Sequence, residues 1–411
     1  MDNLVYWLWL SLSVTPGSRT FKQLLDKFSS PEEIFLADEA SIASVISSKN
    51  SDYGSLINKD LSRAEEIYKF CKTKNVGILT YSDKNFPTAL KNIKAPPVLL
   101  YYRGVLPRFN DEFCVSVVGT RTISEYGKKN AFEVSHDLSC AGALIVSGMA
   151  IGIDGVAHAG ALAAGGKTVA IIGSGIDVCY PPQHKHLARA IVKCGCVMTE
   201  FPPSTPPNRY NFPIRNRIVS GLSCATLVIE GREKSGALIT AMHAKEEGRR
   251  VFALPGNVGN QNSEVSNLLI RNGASLFTSA NDVILALEKD CVGRLNPFKI
   301  TGERPSLLDA LTEYQVSAVS AGDPIFKAPR AKKMQNPSTQ AEHKPPADEK
   351  ILSTLNGKNL TLYNKIPQSS DIAVNDLIDE EHSLKDVMRG LLTLEMMQLV
   401  TMLPGDRVTK K

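Results

Sequence analysis

Three arginines, Arg209, Arg215 and Arg217, lie in or just before the run NFPIRNRIVSGLS, and no acidic residue occurs from Phe201 to Ser223. Nothing close by in sequence neutralises them. Pro213 suits the first turn of a helix, which would set Arg215, Asn216 and Arg217 at or near a helix N-terminus, a place that favours anions. Phe212, beside Tyr210, adds an aromatic face. Guanidinium groups grip phosphates with salt-sensitive affinity, and a ring stacks on any base. The cluster therefore reads as a nucleic-acid groove. The competing reading pairs Arg215 and Arg217 with carboxylates from elsewhere in the fold and puts Phe212 in the core.

Glycine-rich turns supply further candidates. In VGTRTISEYG, Gly119 allows close backbone approach, Thr120 offers a hydroxyl, Arg121 a guanidinium, and Ser124 a cap for the following helix. SGMAIGIDGVAH contributes Ser147, Gly148 and Asp154, and IIGSGIDVCYPP contributes Gly173 and Ser174. Lys234, Ser235 and Gly236 in EKSGALIT open another helix after a strand, either as an auxiliary phosphate contact or as a plain turn. No turn completes GxGxxG with an acidic residue about 20 positions on, and no GxxxxGK[ST] occurs, so neither a dinucleotide nor a Walker-type triphosphate is favoured. An anion site made of several turns remains.

Other polar groups carry less. Asp154 and His158, at i and i+4, read as a capping Asp beside a hydrogen-bonded His rather than an acid–base pair. His184, His186 and Cys179 make an unconvincing metal set, because i and i+2 do not share a helix face. Glu230 ends a strand without a partner nucleophile or second carboxylate. No catalytic residue, metal or cofactor is expected.

The elements that must hold these turns are legible as short apolar runs, FCVSVVG, ALIVSG, TVAIIG, CVMTE, TLVIE, RVFALPG and ASLFT, alternating with helix-length segments. Such alternation predicts a doubly wound α/β domain with a parallel sheet over residues 98–290. Residues 1–97 predict a small helical module with its connector, in which MDNLVYWLWLSLSV is a buried helix rather than a signal peptide or membrane span. Residues 291–347 predict a flexible linker whose later part, 324–347, is basic and proline-rich. From Asp348 to Lys411 helical periodicity returns and then turns at LPGD, which predicts a helix followed by a two-strand wing. At 411 residues, 43% hydrophobic and 22% charged, the chain has room for two or three domains of a soluble protein. A net charge of +5 is compatible with a polyanionic partner without demanding one. The eight cysteines lack disulfide-framework or zinc spacing, which fits a reducing cytoplasm.

In combination, VVGTR, SGMAIGIDGVAHAGAL, IIGSGIDVCYPP, TEFPPSTPP, NFPIRNRIVSGLS, GREKSGALITA and VFALPGNV resemble the DNA-processing protein A family, DprA or Smf. The likeness is close over Val98 to about Leu287. It implies an extended Rossmann-like domain that dimerises and binds single-stranded DNA cooperatively. It also implies loading of the recombinase RecA in natural transformation and homologous recombination, and no turnover. The nucleotide contacts it implies fall on Arg121, Arg209 and Phe212. The flanks resemble the family's variable helical N-terminal module, SAM- or helix-hairpin-helix-like, and its winged-helix tail. Two departures stand out. Ile151 occupies a position where the family usually has Arg, and the acidic stretch Asp376 to Glu381 argues that the tail contacts protein rather than DNA. The rival reading is a phosphoribohydrolase-like nucleotide hydrolase of the same superfamily. Its PGGxGTxxE turn is matched only by LPGNVGNQNSE, without the paired glycines and the Thr.

Overall fold

The computed structural model describes residues 3–233, 235–289, 293–307 and 310, and in the C-terminal region 357–367, 371–379, 387, 391, 394, 399–403 and 407–410. The chain forms two compact units, 1–331 and 332–411.

The first unit begins with six helices: α1 (Asn3–Ser13), α2 (Thr20–Leu25), α3 (Pro31–Leu36), α4 (Glu39–Ala43), α5 (Tyr53–Ile57) and α6 (Ser62–Thr73). Because α1 is apolar nearly all round, it sits inside, with Val5, Trp7, Leu8, Trp9 and Leu10 buried. A nine-stranded sheet follows, with β1 (Gly77–Thr80), β2 (Leu99–Gly104), β3 (Phe113–Val118), β4 (Ala143–Ser147), β5 (Thr168–Ile171), β6 (Cys196–Thr199), β7 (Ala225–Val228), β8 (Arg250–Ala253) and β9 (Ser275–Leu276). The helices between are α7 (Thr88–Lys91), α8 (Glu125–Cys140), α9 (Ile153–Ala163), α10 (Lys185–Cys194), α11 (Asn211–Leu222), α12 (Gly236–Glu246), α13 (Glu264–Arg271) and α14 (Ala280–Ala286).

All seven strand-like runs of the sequence became strands, β3 to β9, paired in parallel. Strands buried on both faces need no polar alternation, and every residue of β3 is buried. The spatial order is β1-β2-β6-β5-β4-β3-β7-β8-β9. The chain thus winds one way from β3 to β6 and the other way from β7 to β9. Between β3 and β7 the direction reverses, and their carboxyl ends flank the crevice where an open α/β sheet takes its ligand.

Two expected boundaries are corrected. The segment before residue 98 is not a separate helical module. β1 pairs antiparallel with β2, and β2 antiparallel with β6, so this stretch extends the sheet. The first helices also share one apolar core with the sheet, in which Trp7, Leu10 and Phe21 belong with Ala170, Ile172 and Val197. Nor is the chain after residue 290 a free linker throughout. Asn296 N–H donates to the Ala141 carbonyl at 2.8 Å, Leu295 and Ile300 pack on the sheet core, and Arg304 donates to both Asp137 carboxylate oxygens at 2.9 and 2.6 Å. The basic proline-rich stretch 324–347 lies outside the described residues.

In the second unit, α15 (Gly357–Lys365) precedes a three-stranded antiparallel sheet of β10 (Ile372–Ala373), β11 (Val400–Leu403) and β12 (Arg407–Lys410), in the order β10-β12-β11. The expected two-strand wing corresponds to β11 and β12. The expected helix in DVMRGLLTLEMMQLV lies mostly outside the described residues.

Candidate nucleic-acid interface

Two turns build the crevice, and Glu230 joins them. Its carbonyl accepts from Thr120 N–H at 2.8 Å, and its carboxylate accepts from the N–H of Ser124 at 3.1 Å and from the Ser124 hydroxyl. Ser124 in turn caps α8, accepting from Gly127 N–H at 3.0 Å, as its place in the sequence predicts. Glu230, 2% exposed, therefore braces the Gly119–Ser124 turn.

On this brace Arg121 projects to the surface, with its guanidinium carbon 5.0 Å from the centroid of Phe212. Tyr180 lies against the same ring, with centroids 5.7 Å apart. At the other rim Arg209 lies 4.8 Å from the Tyr210 centroid and donates to its hydroxyl at 2.7 Å. Resting a cation on a ring limits its rotamers and fixes the place of its charge. Phe212 is half-buried and held at the start of α11, where Asn211 donates to the Gly173 carbonyl at 3.0 Å.

Gly119, Thr120, Arg121, Arg209, Phe212, Arg215, Asn216, Ser235 and Gly236 all line one cavity of about 650 Å³. Asn216 donates to the Gly236 carbonyl at 3.3 Å, which ties α11 to the start of α12. A smaller cavity of about 40 Å³ shares Arg121, Tyr180 and Phe212 as its wall and contains Gly148, Gly173, Ser174 and Ile151. Ile151 is 46% exposed there, so this rim carries an apolar side chain.

Three expected contacts are corrected, those of Arg217, Ser147 and Ser174. Arg217 turns away from the crevice. Only 6% exposed, it pairs with the Glu200 carboxylate and donates to the Ala95 carbonyl at 2.6 Å. The competing reading of the sequence holds for it, because Glu200 is the residue just before the acid-free window. Ser147 is wholly buried and donates to the Val117 carbonyl at 2.7 Å, while Ser174, 1% exposed, donates to the Val178 carbonyl at 3.0 Å. Both hydroxyls satisfy backbone rather than a ligand. Gly148 provides room, since a Cβ there would collide with the Arg215 guanidinium. Lys234 lies outside the described residues.

Beneath the rim are groups that sequence reasoning underrated. Asp154, 8% exposed, accepts from Ala150 N–H at 3.3 Å, and burial holds its carboxyl above the usual carboxylate range. His158, fully buried, shares a 2.7 Å hydrogen bond with the Thr168 hydroxyl, and burial pushes its imidazole down to about 3. Tyr180 and Arg232 also line the large cavity. Tyr180 carried a signal in the Tyr-Pro-Pro end of its glycine turn, whereas nothing local marks Arg232.

Comparison with known proteins places the family and the fold. Residues 77–288, from the first residue of β1 to just past α14, match the family model described as DNA recombination-mediator protein A. A curated relative, Protein Smf of Synechocystis sp., is 32% identical over 99% of this chain and 98% of its own length. The DNA processing protein DprA of Bacillus subtilis is 37% identical over 55% of this chain and 76% of its own. Among solved structures, DNA processing protein A from Streptococcus pneumoniae superposes with a TM-score of 0.60 at 34% identity, covering 70% of this chain and 98% of that one. Among the described residues no helix is long and apolar enough to cross a membrane.

Proposed function

The chain belongs to the DNA recombination-mediator protein A family, and from that premise we propose that its crevice binds single-stranded DNA without chemical turnover. The observation that carries the reading is the Arg121–Phe212–Tyr180 stack at the point where the sheet reverses, with Arg209 on the facing rim. Cations at the rim neutralise phosphates, and Phe212 and Tyr180 present ring surface to bases of any sequence. The Glu230 carboxylate is engaged by the N–H and hydroxyl of Ser124, which supports a binding rather than a hydrolytic role. The bound strand is handed to the recombinase RecA in homologous recombination and natural transformation, in the cytoplasm. The active form is a homodimer. The exposed Leu276 on edge strand β9 and Leu285 on α14 offer a second copy an apolar edge, which sedimentation of the purified chain would test.

Binding to oligo-dT across a salt series tests the groove. Arg121→Ala should lower affinity and flatten the slope of log affinity against log salt by about 0.7. Phe212→Ala should lower affinity by about 1–3 kcal/mol at nearly unchanged slope. Folded variants that bind like the parent at every salt concentration would place the groove elsewhere. Release of free base from nucleoside monophosphates would overturn the absence of turnover.

A further inference from the structure

The large cavity has a rim and a floor of different character. Arg121, Arg209, Pro213 and Arg232 are exposed, whereas Val118, Asp154, Arg215 and Ala237 are buried. Arg215 is 4% exposed and lines the cavity, yet among the described residues its guanidinium makes no hydrogen bond and no ion pair. Asp154 and Arg121 act on it only at longer range. A buried guanidinium with five donors is costly to leave unmatched, and structures normally supply it with an acceptor. The hydroxyl of Ser235 repeats the pattern. It stands at the N-cap of α12, an eleven-residue helix, yet caps nothing and is buried without a partner. Arg215, Ser235 and the start of a helix thus line the same cavity, a setting that attracts anions.

We propose that this floor is a phosphate-monoester subsite, built on Arg215, Ser235 and the α12 N-terminus, for the terminal phosphate of a strand or of a free nucleoside monophosphate. The inference rests on the reading of the crevice as a nucleotide site and adds a second kind of contact to it. A through-running strand presents diesters, each of which would have to bring chain down to the buried floor on both sides. A monoester enters end-on and carries about −1.5 to −2 charge at pH 7. Four guanidinium groups against the single Asp154 carboxylate leave the cavity lining in cationic excess. Gly148 completes the arrangement, since only a residue without Cβ leaves the Arg215 guanidinium its place.

The test compares oligo-dT carrying a 5′-phosphate, a 3′-phosphate or hydroxyls at both ends, with dTMP as competitor, all against the full chain at one salt concentration. One phosphorylated end should bind about tenfold tighter than the hydroxyl-ended strand, the worth of a charge-assisted fork. Arg215→Lys keeps the charge, loses the fork and should bring the two affinities together. If dTMP binds while no phosphorylated end is preferred, the ligand is the free nucleotide. Equal binding of all three strands together with no binding of dTMP overturns the subsite and leaves the groove intact. Binding of dTMP with no binding of any strand overturns the groove and leaves the subsite. A preference that persists in folded Arg215→Lys overturns the assignment to Arg215, and the parent chain alone decides the question if that variant does not fold.

Discussion

The rim of the crevice and the opposite flank of α11 employ the same side chain in contrary surroundings. At the rim, Arg121 and Arg209 are exposed and lean on the rings of Phe212 and Tyr210. On the flank, Arg217 is buried between the Glu200 carboxylate and the Ala95 carbonyl, two residues from an Arg215 that has neither kind of partner. Charge in the sequence does not separate these cases. Company does, because a buried guanidinium with a carboxylate holds the fold together, whereas Arg121 rests on a ring at the surface and Arg215 lines the cavity.

The contrast is broken most easily on the flank. Arg217→Ala should destabilise the chain by about 3–5 kcal/mol in urea unfolding, since Glu200 would remain buried as an uncompensated charge. A loss below about 1 kcal/mol would show that the pair is not structural. His158, also on the buried side, gives the next largest effect. Its folded value, near 3, lies below the ordinary 6.5, so the unfolded chain binds the proton first as the pH falls. Its contribution is full above pH 6.5 and lost progressively toward pH 3, the loss reaching about 2 kcal/mol at pH 5. His158→Gln should remove that part of the pH dependence, and equal pH dependence in the two proteins would refute it. At the rim the expected effect is smallest. Tyr210→Phe keeps the ring under Arg209 and removes one exposed hydrogen bond, so oligo-dT affinity should fall by about 0.5–1 kcal/mol. A tenfold or larger loss would make the hydroxyl itself a DNA contact.

Much of this was legible in the chain. The strands from Phe113 to Leu276 announce themselves as β-branched runs between glycine turns, and the Arg121–Phe212 contact joins two of the candidate clusters read from the sequence. What escaped was set at a distance. β1 lies in a stretch that reads as helical module and connector until β2 supplies its antiparallel partner, with Ile78 opposite Tyr101. Arg217 looked unpaired because its carboxylate sits one position beyond the acid-free window. Ser147 and Ser174 resembled phosphate contacts because a hydroxyl in a glycine turn looks the same in sequence whether it faces a ligand or a carbonyl. Burial of Asp154 and Arg215 is set by tertiary packing, which no local spacing announces.

The core shared by the first helices and the sheet also has a consequence for synthesis. Trp7, Leu10 and Phe21 leave the ribosome long before Ala170 and Val197, the residues that complete their cluster. A nascent chain must therefore carry an uncovered apolar surface through roughly the first half of its translation, a window in which such surface invites aggregation or a chaperone. By the same logic, a recombinant fragment begun at Val98 to isolate the sheet would strip the cover from β5 and β6, and its solubility would suffer before its DNA affinity could be measured.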